Sequence, residues 1–99
     1  MATVKGTLKH GLKVGDVRHC DFELRDSTTA DMFDAEDDAP AHKRLAFRGA
    51  LLARQIVKLG EMSGPLEFSM IRKLDREDFD QLVDAQVEVD ELGKSKPGG

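Results

Sequence analysis

The residues able to do chemistry in this 99-residue chain fall into three groups. His10, His19 and Cys20 are of metal-ligating and nucleophilic type. His19 and Cys20 are adjacent in an alternating stretch, so on a strand they point to opposite faces. Only His10 and Cys20 can share a face, and a closed zinc site takes four ligands. A cysteine nucleophile is normally oriented by further groups, and neither a third residue nor an oxyanion-hole signature accompanies Cys20. The second group is the acidic run Asp31, Asp34, Glu36, Asp37 and Asp38. A calcium loop needs alternating ligands, a central Gly and a terminal Glu. This run lacks the Gly, and Pro40 interrupts it, so it reads as a solvated helix face that complements a basic partner. The third group, Asp75-Arg76-Glu77-Asp78, reads as a helix start rather than a carboxylate pair. Asp75 is a good N-cap, and Glu77 and Asp78 suit the positive end of the helix dipole. Gly60, Gly64 and Gly93 have neither the spacing nor the flanking strand of a phosphate-binding loop. The expectation is no catalytic residue, no cofactor and no metal site.

Composition narrows the function further. The formal charge is -4, with Lys and Arg interleaved among acids, so the basic stripe of a nucleic-acid binder is missing. With no Trp, no Tyr and five Phe, a base-stacking surface is not expected. One cysteine precludes an internal disulfide and suits a reducing compartment. The first residues have no apolar signal-peptide core. No stretch approaches the roughly 20 apolar residues of a membrane helix. The expectation is a soluble cytoplasmic protein of one domain over 1–90, with a modest core and a flexible polar tail over 91–99.

These residues must be positioned by a small set of elements. Thr3 to Leu24 alternates as a β-hairpin turning at Gly15-Asp16. A two-residue loop there pairs Leu12 with His19 and Leu8 with Glu23, apolar against polar. One more loop residue pairs Leu12 with Cys20, His10 with Phe22 and Leu8 with Leu24. The second register is expected, as a three-residue loop or a bulge at the turn with Gly15 or Asp16 in the left-handed region. Such a ribbon is marginal alone and needs a covering helix or a second subunit.

Thr28 or Ser27 caps a first helix over 29–36, with Asp31 completing a capping box and Met32 and Phe33 as its apolar contacts. A second helix is expected from Pro40 to Leu59, with Leu45, Gly49, Leu52, Ile56 and Leu59 as its core stripe and Gly60 as its stop. A short third helix over 65–73 and a fourth over 76–90, capped by Asp75, complete the chain. The fourth carries Phe79, Leu82, Val83, Gln86 and Val87 at helical spacing. The fold class is α+β, an N-terminal β-hairpin followed by three to four α-helices in one small domain. Phe47, Leu51, Arg48 and Arg54 lie off the core stripe of the second helix. Apolar positions on a second face mark it as a partner-binding or self-association surface.

The strand ending Phe22-Glu23-Leu24-Arg25, followed by Thr28-Thr29-Ala30-Asp31-Met32-Phe33-Asp34-Ala35-Glu36, resembles the tail assembly chaperones of contractile-tailed phages and prophages of the Mu-like and P2-like type. Leu74-Asp75-Arg76-Glu77-Asp78-Phe79, after a short helix, is similar to that family's Leu-Asp-x-x-Asp segment. A long middle helix ending near a Gly is the third point of likeness. The likeness spans about residues 3–90. It departs from the family in lacking a Pro after Arg25 and in carrying Asp37-Asp38. The resemblance implies a non-enzymatic protein of the host cytoplasm. It would bind the tape measure protein, keep its apolar helices soluble and help recruit the tail tube protein. It also implies a frameshift-extended second product, and Gly93-Lys94 admits codons that slip. The alternative is a small structural or adaptor protein that stays in the virion.

Overall fold

The structure is a computed structural model, and it describes residues 2–94. Its elements are β1 (Thr3–Val14), β2 (Val17–Arg25), α1 (Thr29–Asp38), α2 (Arg44–Gln55), β3 (Ile56–Leu59), β4 (Met62–Ser63), α3 (Phe68–Ile71) and α4 (Arg76–Lys94). The expected hairpin and four helices are present, in the α+β class. The hairpin is part of a larger sheet, an antiparallel meander in the order β1-β2-β3-β4.

Alternation explains the sheet. Phe22 and Leu24 of β2 are buried, whereas Thr3, Lys5, Thr7 and Asp21 are exposed. One sheet face is therefore wet, as antiparallel sheets allow. The other packs against α4 and α2 in a core that includes Leu8, Leu24, Leu52, Ile56, Leu59, Leu82 and Val89. Burying each of these side chains is worth about 1.5–3 kcal/mol.

The hairpin register differs from expectation in where it slips. The loop has two residues, with Val14 opposite Val17 and Leu12 opposite His19. Gly15 adopts the left-handed conformation at φ 61°. The shift lies further down β1, between Thr7 and Leu12, and beyond it Gly6 faces Phe22 and Val4 faces Leu24. Leu8 and Leu12 are both buried across this bulge. Gly11 sits in it at φ 83°, a conformation that a side chain would strain.

The second helix is shorter than its spacing predicts. It starts at Arg44, after a turn in which the Lys43 N–H donates to the Pro40 carbonyl at 3.0 Å. It ends at Gln55, and residues 56–59, expected as helix, form β3 against β2. Ile56 and Leu59 are three apart, which on a regular strand would put them on opposite faces. A register shift between Glu23 and Leu24 lets both reach the core. That spacing also mimics a helix, and this is why the pattern misleads. β-Branched Ile56 and Val57 favour the strand. Gly60, read as a helix stop, instead makes the β3–β4 turn at φ 59°. A side chain there would strike the ring of the buried His19.

Other boundaries also move. α1 extends to Asp38, and its buried apolar residue is Ala35; Met32 and Phe33 are exposed. Leu45, placed in the core stripe, is 69% exposed, because α2 turns Gly49, Leu52 and Ala53 inward instead. α3 is a single turn, Phe68–Ile71, rather than a helix over 65–73. α4 continues through Lys94, so residues 91–94 are helical and not tail. The remainder of the expected tail, residues 95–99, lies outside the described residues.

Candidate protein-binding site

On the outer face of α2, Phe47 and Leu51 stand one turn apart and are half-buried against the Ala35–Ala39–Ala50 cluster that joins α1 to α2. Their remaining surfaces, with Ala41, Arg44, Arg48, Gln86 and Asp90, line an open groove of about 320 Å3 between α2 and α4. Three of the four residues expected to bind a partner, Phe47, Arg48 and Leu51, therefore share one groove. Arg54 does not join them. It reaches the other side of α1, 3.3 Å from the Asp38 carboxylate and 4.0 Å from that of Asp34.

The groove has a polar floor. Arg48 Nη1 donates to Gln86 Oε1 at 3.2 Å, and Gln86 Nε2 donates to Gln55 Oε1 at 2.8 Å. Gln55 Nε2 donates in turn to Asp90 Oδ1 at 3.2 Å and to the Arg25 carbonyl at 3.0 Å. The same Asp90 oxygen accepts from the backbone N–H and hydroxyl of Ser27. Gln55 and Gln86 are buried, so these bonds satisfy groups that would otherwise be costly. The surface arginine is tied through α4 to the end of β2. Gln86 was read only as a position in an apolar repeat. The signal available was a glutamine in the core register of two helices, at 55 and at 86.

Thr28 occupies the N-cap of α1. Its hydroxyl accepts from the Asp31 N–H at 3.1 Å, and the Asp31 carboxylate accepts from the Thr28 N–H at 2.9 Å. Asp31 also receives both arms of the Arg25 guanidinium, at 2.6 and 2.9 Å. This fork holds the Asp31 carboxyl below its ordinary pKa, with the Thr28 backbone bond lowering it further. Arg25 donates as well to the Arg54 carbonyl at 3.0 Å, so one side chain gathers β2, α1 and α2. Sequence reasoning assigned Arg25 no role.

Asp75 caps α4 by accepting from the Glu77 N–H at 2.8 Å. Asp78 is fully buried and does different work. Its two carboxylate oxygens accept from the backbone N–H of His10 at 3.0 Å and of Gly11 at 2.8 Å. Gln81 accepts from the Lys9 N–H at 2.8 Å and donates to the Thr7 carbonyl at 3.1 Å. α4 thereby covers the β1 edge at the bulge.

His10, His19 and Cys20 occupy separate surroundings. Buried His19 accepts from the Glu61 N–H at Nδ1, at 3.1 Å. Cys20 is a half-buried thiol. His10 turns to α4, with Nε2 3.0 Å from Glu77 and 3.6 Å from Asp75. The Glu77 hydrogen bond raises the His10 pKa, while His10 and then Lys9 lower that of Glu77. His10, Asp75 and Glu77 are the described residues that offer metal-ligating atoms within 4.8 Å of one another. Glu77 is already engaged by His10 and by Lys9 at 2.9 Å, and Asp75 by its cap, so the contacts are accounted for as ion pairs. No helix among the described residues is long and apolar enough to cross a membrane.

Comparison with known proteins identifies a family. A family profile described as tail assembly protein gp41 matches residues 8–97. The Mu-like prophage FluMu protein gp41 of Haemophilus influenzae is 30% identical over 91 residues, covering 80% of this chain and 72% of that protein. No solved structure matches. A family match over nearly the whole chain and a relative 30% identical to it lead to one conclusion: this chain belongs to the gp41 tail assembly protein family of Mu-like phages.

Proposed function

We propose that the protein is a tail assembly chaperone acting by non-covalent binding, with the outer face of α2 as its client site. The observation that carries this reading is the open groove of Phe47, Arg48 and Leu51, in a chain whose family assembles tails. Two apolar side chains one turn apart, flanked by Arg44 and Arg48, suit an amphipathic helix laid along the groove. The tape measure protein, with long apolar helical segments, is the proposed client. The tail tube protein and a frameshift-extended form of this chain are the further proposed partners, met in the host cytoplasm during assembly. The net charge of -4 favours solubility of the complex.

Co-expression with the tape measure protein of the same tail gene cluster tests this. The client should move to the soluble fraction with the wild-type chain, and fail to do so with Phe47→Glu or Leu51→Glu variants that keep their circular dichroism. A client equally soluble with those variants would overturn the assignment of the groove. Stoichiometric presence of the protein in purified mature tails would instead favour the retained structural component.

A further inference from the structure

A second apolar groove lies on the opposite flank of α2, where α3 and the start of α4 meet it. Leu45, Gly49, Phe68, Ile71, Leu74 and Phe79 line about 520 Å3 of open space, and Arg72 and Arg76 stand among them. Leu45 and Phe33 are the two most exposed large hydrophobic side chains described, at 69% and 67%. They belong to different surfaces. α1 docks on α2 through Ala35 and Ala39. Phe33 lies two residues from Ala35, about 200° around the helix, and points away. Exposed Glu36 and Asp37 lie three and four residues beyond Phe33, so they share its face. Glu36, Asp37, Arg72 and Arg76 make no ion pair among the described residues.

The chain thus carries an aromatic knob flanked by carboxylates and, elsewhere, an apolar recess flanked by guanidinium groups. We propose that copies of this chain associate head to tail, with Phe33 of one copy seated in the Leu45–Phe68–Phe79 groove of the next and Glu36 and Asp37 facing Arg72 and Arg76. The occupant is a second copy because an apolar knob with acidic flanks and an apolar groove with basic flanks occur in the same sequence, and because α1 of the same chain is held facing elsewhere. Such a contact is heterologous, so it closes into a ring or propagates. Each copy then keeps its Phe47 groove free, on the other side of α2. The inference is independent of the client assignment.

Light scattering coupled to size exclusion tests it on the full chain. The wild-type mass should rise with concentration beyond a monomer, and added salt should lower it. Phe33→Ser and Leu45→Asp should each be monomeric, with circular dichroism and melting close to wild type, since both sites are exposed. An equimolar mixture of the two variants should give a dimer and nothing larger, because each retains one intact surface. A wild-type chain monomeric throughout, a single variant that still assembles, or a mixture that stays monomeric would each overturn the proposal. A symmetric dimer would show itself by surviving one of the two substitutions.

Discussion

Where α4 crosses the hairpin, the core holds Leu8, Leu24, Leu82 and Val89, and the buried Asp78 carboxylate ties down the β1 bulge. Where α1 lies on α2, the buried residues are Ala35, Ala39 and Ala50, with half-buried Phe47, Leu51 and Phe68 around them. The first contact removes large aliphatic surface from water and leaves its polar groups paired. The second lets two helices approach closely on small side chains and leaves Phe33 and Leu45 outside. Burial free energy scales with apolar area, so stability is concentrated in the first region. The second leaves aromatic and aliphatic surface in water.

Substitutions can break or sharpen that contrast. Leu24→Ala removes a fully buried side chain from the first region and should cost about 3 kcal/mol, read from the urea midpoint. A loss under about 1 kcal/mol would mean the hairpin core is not where stability resides. Asp78→Ala should cost about 2 kcal/mol, because it orphans the His10 and Gly11 N–H groups. Its signature is loss of hydrogen-exchange protection at those two amides ahead of the rest of the sheet. The caps compare the regions directly. Asp75→Ala at α4 and Thr28→Ala at α1 should each cost about 1 kcal/mol. Thr28→Ala should leave hairpin exchange unchanged, whereas Asp75→Ala should raise it at the bulge.

The smallest effect is in pH. Because Glu77 raises the His10 pKa, the stabilisation from their pairing is fully present below the ordinary histidine value of 6.5 and is lost as pH rises through the raised one. His10→Gln should flatten that slope in thermal melts taken on either side of neutrality. A parallel slope in the variant would assign the titration elsewhere.

The α+β class, the first hairpin and the two helix caps, Thr28 and Asp75, were legible in the sequence, because alternation and capping are local. The bulge was not, since its hydrogen-bond acceptor, Asp78, lies 67 and 68 positions from the N–H groups it receives. Nor was β3, whose Ile56 and Leu59 stand at helical spacing and are both buried only because the pairing with β2 shifts register between them. The Phe47–Arg48–Leu51 groove was anticipated from apolar residues off the main stripe. Arg54 was misplaced with them because spacing around a helix does not say which side α1 will cover. The second groove was hidden because Leu45 reads as core until the helix is seen to begin only one residue before it.

The closure of the β1 edge by α4 has a consequence for synthesis. The bonds that seal it span 67 to 74 positions, from β1 to the first turns of α4. On a ribosome the hairpin emerges long before the helix that protects it. For that interval an unpaired strand edge is exposed, the state in which chains pair with the wrong neighbour. A product released before α4 would carry that edge permanently. The first two turns of α4 therefore decide whether the first strand of this protein stays its own.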